Sequence, residues 1–443
     1  MKILFVSLGC DKNLVDTEMM LGILGQEGFT FTDDETQADI IVINTCCFIH
    51  DAKEESVNTI LEMAELKETG KLKALVVAGC LAQRYREEIQ TEIPHVDCIV
   101  GTTAFDQIAA AIKEVLEGKE IGMEHVEDID RAPVYGKKRL VTTGGHYAYM
   151  KIAEGCDKNC TYCIIPKLRG RFRSIPMDAL VKEAEELVCQ GVKELILVAQ
   201  ETTVYGTDLY GKKCLGELLD RLNAIEGLQW IRIMYCYPEE ITDELIEAMV
   251  RNEKVCHYLD LPIQHGSDPV LKRMGRRTTS AQLKEVIGKL RSAIPDICLR
   301  TSLITGFPGE TEEDHEILMD FVDELEFDRL GVFPYSREED TPAARMEDQI
   351  AEEVKEERRA ALMELQQEIA FEKAEAMVGK SLTVMIEGWL EEEGVYVARS
   401  YKDAPNVDGL VFVHSEEKLM SGAFLTVEIT ASHDYDLIGE RKL

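Results

Sequence analysis

Three thiols fall within eight positions of the stretch EGCDKNCTYC, residues 154–163: Cys156, Cys160 and Cys163. Gaps of three and two residues make a tight loop that can wrap one face of a cubane, each thiolate reaching a different iron. Iron–sulfur electron carriers ordinarily supply four cysteines. Structural zinc sites also close with four ligands, and catalytic metals keep a position open. The residues that follow, IIPKLRGRFRS, offer no further Cys or His. Three local ligands therefore point to iron in preference to zinc, with one corner left for another molecule. A second set is dispersed. Cys10 follows the run KILFVSLG, Cys46 follows DIIVINT, and Cys80 ends KALVVAGC. Taken singly, each reads as core packing, because free Cys is among the most buried residue types. Taken together, they can meet, because ligands in an open parallel sheet bind beyond the carboxyl ends of the strands. Cys47 must point away from Cys46, and Cys98, Cys189, Cys214, Cys236, Cys256 and Cys298 lie in apolar contexts that read as core.

The elements that must position these thiols are visible as alternating patterns. KILFVSLG, DIIVINT, KALVVAGC and VDCIVG are strand-like runs, each followed by an amphipathic segment. That alternation predicts a parallel sheet wrapped by helices, in an N-terminal α/β domain over 1–117. The pattern fades near Gly118, and the charged stretch GKEIGMEHVEDIDRAPVYGKKR, residues 118–139, reads as a linker. From Thr142 it resumes in YAYMKIA, ELILVAQ, WIRIMYCY, HYLDLPI, ICLRTSLIT and RLGVFPY. Six such strands predict a barrel, partial or whole, in a domain over 142–372, and residues 350–377 read as a long helix with an apolar stripe and a solvated acidic face. After Gly379 the runs SLTVMIEGW, GVYVARSY, GLVFVH and FLTVEITA predict a small antiparallel β-domain over 375–441.

Charge bounds the partners. The chain carries 49 Lys and Arg against 83 Asp and Glu, a formal net charge of −34. Phosphate backbones are bound by surplus basic residues, so nucleic acid, tRNA included, is a poor default partner. The excess serves solubility, or its field draws in a basic macromolecule. No apolar window is long enough to span a membrane. The start MKILFVSLGCDKN reads as a buried strand and not a signal peptide, so a cytoplasmic location is expected. Disulfides are rare there, which leaves metal, catalysis or packing to explain 13 cysteines.

CDKNCTYC resembles the CxxxCxΦC motif of radical S-adenosylmethionine enzymes, with Tyr162 as the aromatic and counted with the cofactor-binding residues. The resemblance implies a partial (βα)6 barrel and a [4Fe–4S] cluster on Cys156, Cys160 and Cys163. S-adenosylmethionine would chelate the fourth iron. The first region is similar to the N-terminal domain of methylthiotransferases through SLGCDKNLVDTE, INTC and VAGCLAQR. That likeness implies a second [4Fe–4S] cluster on Cys10, Cys46 and Cys80. The last region resembles a TRAM domain, a small antiparallel β-barrel. Within the methylthiotransferase family, VSLGCDKNLVDTE, LPIQHGSDPVLKRMGRR and FPGETEEDHE look most like the RimO branch. Members of that branch methylthiolate the β-carbon of an aspartate on a basic small-subunit ribosomal protein, the twelfth. The alternative is the MiaB branch, which modifies tRNA adenosine and reads YGCQMN at the first motif. DKN after Cys10, and 12 acidic against 6 basic residues over 379–443, favour the first.

The implied chemistry explains two clusters. Replacing an unactivated C–H bond by C–S lies beyond acid–base catalysis, so cofactors carry the hard step and no side chain is assigned a catalytic role. The family likeness implies that the barrel cluster cleaves S-adenosylmethionine to a radical that takes hydrogen from the aspartate. The N-terminal cluster would present sulfur methylated by another S-adenosylmethionine. An external electron donor and a sulfur donor are required.

Weaker candidates accompany the thiols. Gln200 and Glu201 of AQETTVYG occupy the place of the family's diglycine-glutamate without its glycines. Gln264 of PIQHGSD is a candidate ribose contact, and His265 reads as a structural hydrogen-bonder. Gly306 and Gly309 of TSLITGFPGE would let backbone approach the cofactor, or simply make a Pro-Gly turn. Arg171 and Arg173 would pair with a carboxylate or sit on the surface. The rival from another class is a two-cluster electron-transfer or scaffold protein, which gains nothing from an open iron.

Overall fold

The computed structural model describes residues 1–68, 71–118 and 122–442. Its first sheet runs, edge to edge, Thr30–Phe31, Lys2–Ser7, Ile40–Thr45, Ala74–Gly79, Cys98–Val100 and Met123–His125, all parallel. The two central strands, Ile40–Thr45 and Ala74–Gly79, are buried at every position, as covering on both faces requires. The chain order reverses between Lys2–Ser7 and Ile40–Thr45, so loops at their carboxyl ends open a crevice.

The stretch 118–139 is not a free linker. Its residues 119–121 lie outside the described residues, but Met123–His125 adds an edge strand to Cys98–Val100. Beyond it, Arg131 makes a bidentate pair with Asp106 at 2.9 Å, and the Leu140 N–H donates to the Glu18 carbonyl at 3.1 Å. A three-residue strand held by its backbone leaves too short a period to register in a charged sequence.

The second sheet is sequential: Tyr147–Lys151, Glu194–Val198, Trp230–Ile233, Val255–Asp260, Cys298–Thr305 and Arg329–Pro334, all parallel. It is the partial barrel. On the first strand Ala148 and Met150 face the helix side, packing with Leu180, Leu218 and Leu245 in one core. Tyr147 and Tyr149 face the other way, into a core shared with Val15 and Met19 of the helix Asp11–Gln26 and with Met385 of the C-terminal barrel. Strand alternation thus sends one face to the helices and the other to both flanking units.

The long helix spans Glu352–Glu375. It leads into a closed barrel ordered Ser381–Leu390, Val395–Ser400, Val411–His414, Asp436–Arg441, Phe424–His433. Asp436–Arg441 is a strand beyond the four expected from the pattern, and it pairs in parallel with Val411–His414, so the barrel is not purely antiparallel. Its sequence, DLIGER, is too short and polar to alternate visibly. The C-terminal barrel docks at the amino end of the central strands. Arg399 bonds Glu194 at 2.7 Å and Glu387 at 2.7 Å, and Glu194 also takes Arg232 at 2.8 Å. Burial pushes the Glu194 carboxyl up, but Arg399 and Arg232 outweigh it and hold it below the ordinary carboxylate range. The carboxyl ends of the same strands are left to the N-terminal unit.

Candidate active site

Cys10 occupies the N-cap of the helix Asp11–Gln26, immediately after Gly9. Gly9 has φ +87°, and a Cβ there would stand 2.5 Å from Cys46 Cβ and 2.8 Å from Cys46 Sγ. Only glycine lets the first loop lie against the second. Cys46 is fixed through Ser56, whose Oγ accepts from the Cys46 N–H at 3.1 Å and donates to its carbonyl at 2.8 Å. Cys80 opens the helix Cys80–Arg84 after Gly79, φ +92°. Asn13 ties the loops together, its Nδ2 donating to the carbonyls of Leu8 at 3.0 Å and Thr45 at 2.9 Å. Burial, then the neighbouring Cys80 and Cys10, push the Cys46 thiol up to about 12. The structure therefore brings these three strand-end thiols to one place. Cys47 is buried in an apolar cluster that includes Ile164, Leu168 and Cys80 itself.

The barrel triad sits on the loop after Tyr147–Lys151. Gly155, φ +79°, turns the chain where a Cβ would run into the Arg171 carbonyl. The Cys156 N–H donates to the Gly170 carbonyl at 3.1 Å, and the Thr161 N–H to the Met274 carbonyl at 2.9 Å. Cys160 Sγ lies 2.6 Å from the Tyr237 hydroxyl. Burial lifts Cys156 to about 12 and pushes Cys163 up as well, with Cys160 adding to both. Metal binding here must displace thiol protons. Among the described residues no three His, Cys, Asp or Glu side chains close round a single ion. Each set supplies three thiols, one fewer than the four ligands that close a structural zinc site, so the donor count suits a cluster with one iron left open.

A buried ionic cluster joins the helix after Cys10 to the segments flanking the barrel triad. Arg169, 2% exposed, reaches Asp16 at 2.8 Å, Glu154 at 3.3 Å and the Asn13 side-chain carbonyl. Lys151 joins Glu154 at 2.7 Å and Asp16. Burial raises the Glu154 carboxyl, but Lys151 and Arg169 overcome it and hold it well below its usual range. Arg169 also lies against Cys80, where its charge opposes the upward push of burial on that thiol.

The candidate cofactor residues divide. Gln200 is committed to the protein: Oε1 accepts from the Gly155 N–H at 2.8 Å and Nε2 donates to Glu154 at 2.9 Å. It braces the cysteine loop. Glu201 is 1% exposed, takes the Thr203 N–H at 2.9 Å on Oε1, and leaves Oε2 without a partner among the described residues. Burial raises it to about 7, and it lines a cleft of about 250 Å³ with Asp157, Lys158 and Tyr237. Gln264 has φ +74°, its backbone bonding Ser302 at 3.0 Å and Ile304 at 2.8 Å. Its side-chain amide has no protein partner among the described residues.

Gly306 lies against the long helix. A Cβ there would run into Lys355 of the long helix, so the missing side chain admits that lysine. Gly309 likewise admits Arg273. Tyr162 packs edge-to-face on Phe307, ring centroids 6.5 Å apart. His265 is fully buried, its Nδ1 accepting from the Ser267 N–H at 3.0 Å. Arg173 grips Asp130 and the carbonyls of Arg169 and Arg171, while Arg171 is exposed and 3.5 Å from Asp157. Cys189 is exposed, contrary to its reading as core, because it ends its helix off the apolar stripe. Sequence reasoning missed Lys12, Asp16, Glu154, Arg169, Tyr235 and Tyr237. The one signal was charge embedded beside the cysteine motifs, Asp16 shortly after Cys10 and Arg169 shortly after Cys163.

Residues 2–101 match the family model described as uncharacterized protein family UPF0004, 150–322 the radical SAM superfamily, and 378–441 the TRAM domain. A protein of Lachnoclostridium phytofermentans named ribosomal protein uS12 methylthiotransferase RimO is 63% identical, covering 99% of each chain. One of the same name from Clostridioides difficile is 50% identical over 99% of this chain and 98% of its own. The chain belongs to the RimO family of radical S-adenosylmethionine methylthiotransferases. The MiaB alternative is thereby set aside. A radical S-adenosylmethionine methyltransferase of Kitasatospora setae, TsrM, solved with cobalamin and a [4Fe–4S] cluster, is 14% identical with a TM-score of 0.56. It covers 77% of this chain and 73% of its own, a likeness of fold. RimO-family enzymes use S-adenosylmethionine and two [4Fe–4S] clusters, and the two three-thiol sites suit that complement.

Proposed function

We propose that this RimO-family enzyme replaces a hydrogen on the β-carbon of an aspartate of ribosomal protein uS12 by a methylthio group. The observation that carries the reading is that the helix following Cys10 and the loop following the Cys156–Cys163 triad are joined by buried bonds from Arg169 to Asn13 and Asp16. Cys156, Cys160 and Cys163 hold the cluster that S-adenosylmethionine completes, and Cys10, Cys46 and Cys80 hold the second. Bound there, these cofactors supply the one-electron chemistry and the methylthio sulfur. The chain's own residues position and enclose. Gln200 fixes the barrel loop by its bonds to Gly155 and Glu154. Glu201 Oε2 and the Gln264 amide are the polar groups offered to S-adenosylmethionine, with Tyr162 shaping the wall behind. Arg169 and Lys151 keep a fixed, water-poor separation between the triads.

The working units are 1–117, which carries one triad, 142–372, which carries the other, and 375–441, which recruits substrate. The C-terminal stretch 379–443 has 12 acidic against 6 basic residues, a balance suited to a basic ribosomal protein. An external one-electron donor and a sulfur donor complete the reaction, and the cytoplasm is where ribosomes, reductant and free thiols coexist. No described helix is long and apolar enough to cross a membrane. The test is to incubate the reduced, reconstituted enzyme with ribosomes and, separately, with tRNA, and to weigh both products. A methylthio increment on uS12 alone is expected; the increment on tRNA alone would contradict the reading.

A further inference from the structure

In a chain with 83 acidic residues, one buried ammonium has no acid to pair with among the described residues. Lys12, the second residue of the helix Asp11–Gln26, is 7% exposed. Among the described residues no carboxylate or hydrogen-bond acceptor holds its Nζ, which lies 3.3 Å from the centroid of the Tyr235 ring. A cation over an aromatic face recovers only part of what burial removes.

The acids bonded to Tyr235 and those of the neighbouring ionic cluster have other partners. Asp11 Oδ2 accepts the Tyr235 hydroxyl at 3.0 Å. Asp260 takes the Tyr235 N–H at 3.0 Å on one oxygen and Arg300 at 2.7 Å on the other. Asp16 is engaged by Arg169 and Lys151, and Glu154 by Lys151, Arg169 and Gln200. Tyr235 itself is held at φ +59°, a conformation uncommon outside glycine, and its two bonds to Asp11 and Asp260 fix the ring beneath Lys12. The ammonium is thus placed close to Cys10 in the chain and, over Tyr235, just beyond the carboxyl end of the strand Trp230–Ile233.

We propose that Lys12 is the seat for the substrate's side-chain carboxylate, pairing with the aspartate that enters between the two triads. The inference rests on the reading that the substrate residue is an aspartate. It makes Lys12 a specificity residue. The incoming carboxylate supplies the counter-charge this site lacks, and a charge-assisted bond in a dry site is about twice as strong as a neutral one. An asparagine of the same shape satisfies the ammonium less well.

The experiment measures anaerobic binding of uS12 and of a uS12 variant with asparagine at the modified position, to wild-type holoenzyme and to Lys12→Met and Lys12→Arg. Iron content of each variant checks that it has folded. Wild type is expected to bind the aspartate form at least about tenfold more tightly than the asparagine form. Lys12→Met should bring that ratio close to one, and Lys12→Arg should restore most of it. A lysine that merely packs on Tyr235 would weaken both forms alike, so an undiminished ratio in Lys12→Met overturns the proposal. Wild-type enzyme that leaves uS12 unmodified overturns the functional reading and the proposal with it, whereas modified uS12 with an undiminished ratio overturns the proposal alone.

Discussion

Arg169 and Asp16 meet at 2.8 Å, joining the loop that follows the barrel triad to the helix that follows Cys10. Both side chains are buried, and Arg169 has three partners to satisfy its fork. Removing one member of such a cluster strands the others in a low-dielectric setting. Arg169→Met should therefore lower stability by about 3 kcal/mol. Thermal melting checks this, and an unchanged Tm would mean that the cluster is dispensable. Arg169→Lys, which retains charge without the fork, should lose less.

His265 makes the stability depend on acid. Burial pushes its imidazole from 6.5 down to about 3. Between those values the unfolded chain binds a proton that the folded chain does not. This contribution is therefore complete above pH 6.5 and falls as pH drops towards 3, by about 1.4 kcal/mol per unit. His265→Gln should flatten that part of the curve. Melting temperatures of both proteins from about pH 7 to about pH 5 read it, and parallel losses would assign the acid sensitivity elsewhere.

The parallel strands were legible because strands buried on both faces appear as unbroken apolar runs, as in Ile40–Thr45 and Ala74–Gly79. The cysteines were legible because their chemistry demands those residue types. What stayed hidden depends on distant partners. Arg169 and Asp16 are 153 positions apart, and nothing local marks either as buried. Gly306 shows its backbone freedom in the sequence, but the Lys355 side chain that fills the space comes from the long helix further along the chain. The closing strand Asp436–Arg441 is defined by its register with Phe424–His433, not by its own pattern.

Glu391, Glu392 and Glu393 form an exposed turn between Ser381–Leu390 and Val395–Ser400, beside Trp389, which is 49% exposed. Reversing all three to Lys should slow association with uS12 and flatten its salt dependence, because steering between exposed charges acts on the on-rate and is screened by salt. Stopped-flow association at low and high salt measures this. Rates that match wild type at both salts would clear the turn of a role. Iron content should not change, since the turn belongs to the C-terminal barrel.

The central claim is a division of labour between two triads that share one substrate. It is tested most directly by quantifying 5′-deoxyadenosine and methylthiolated uS12 in the same reaction, for wild type, Cys10→Ala and the Cys156/Cys160/Cys163 triple alanine variant. Wild type should yield both products. Cys10→Ala should still yield 5′-deoxyadenosine but no methylthiolated uS12, and the triple variant should yield neither while keeping about half of the iron, one cluster of two. Methylthiolated uS12 from Cys10→Ala, or loss of 5′-deoxyadenosine in that variant with its barrel cluster intact, would contradict the account.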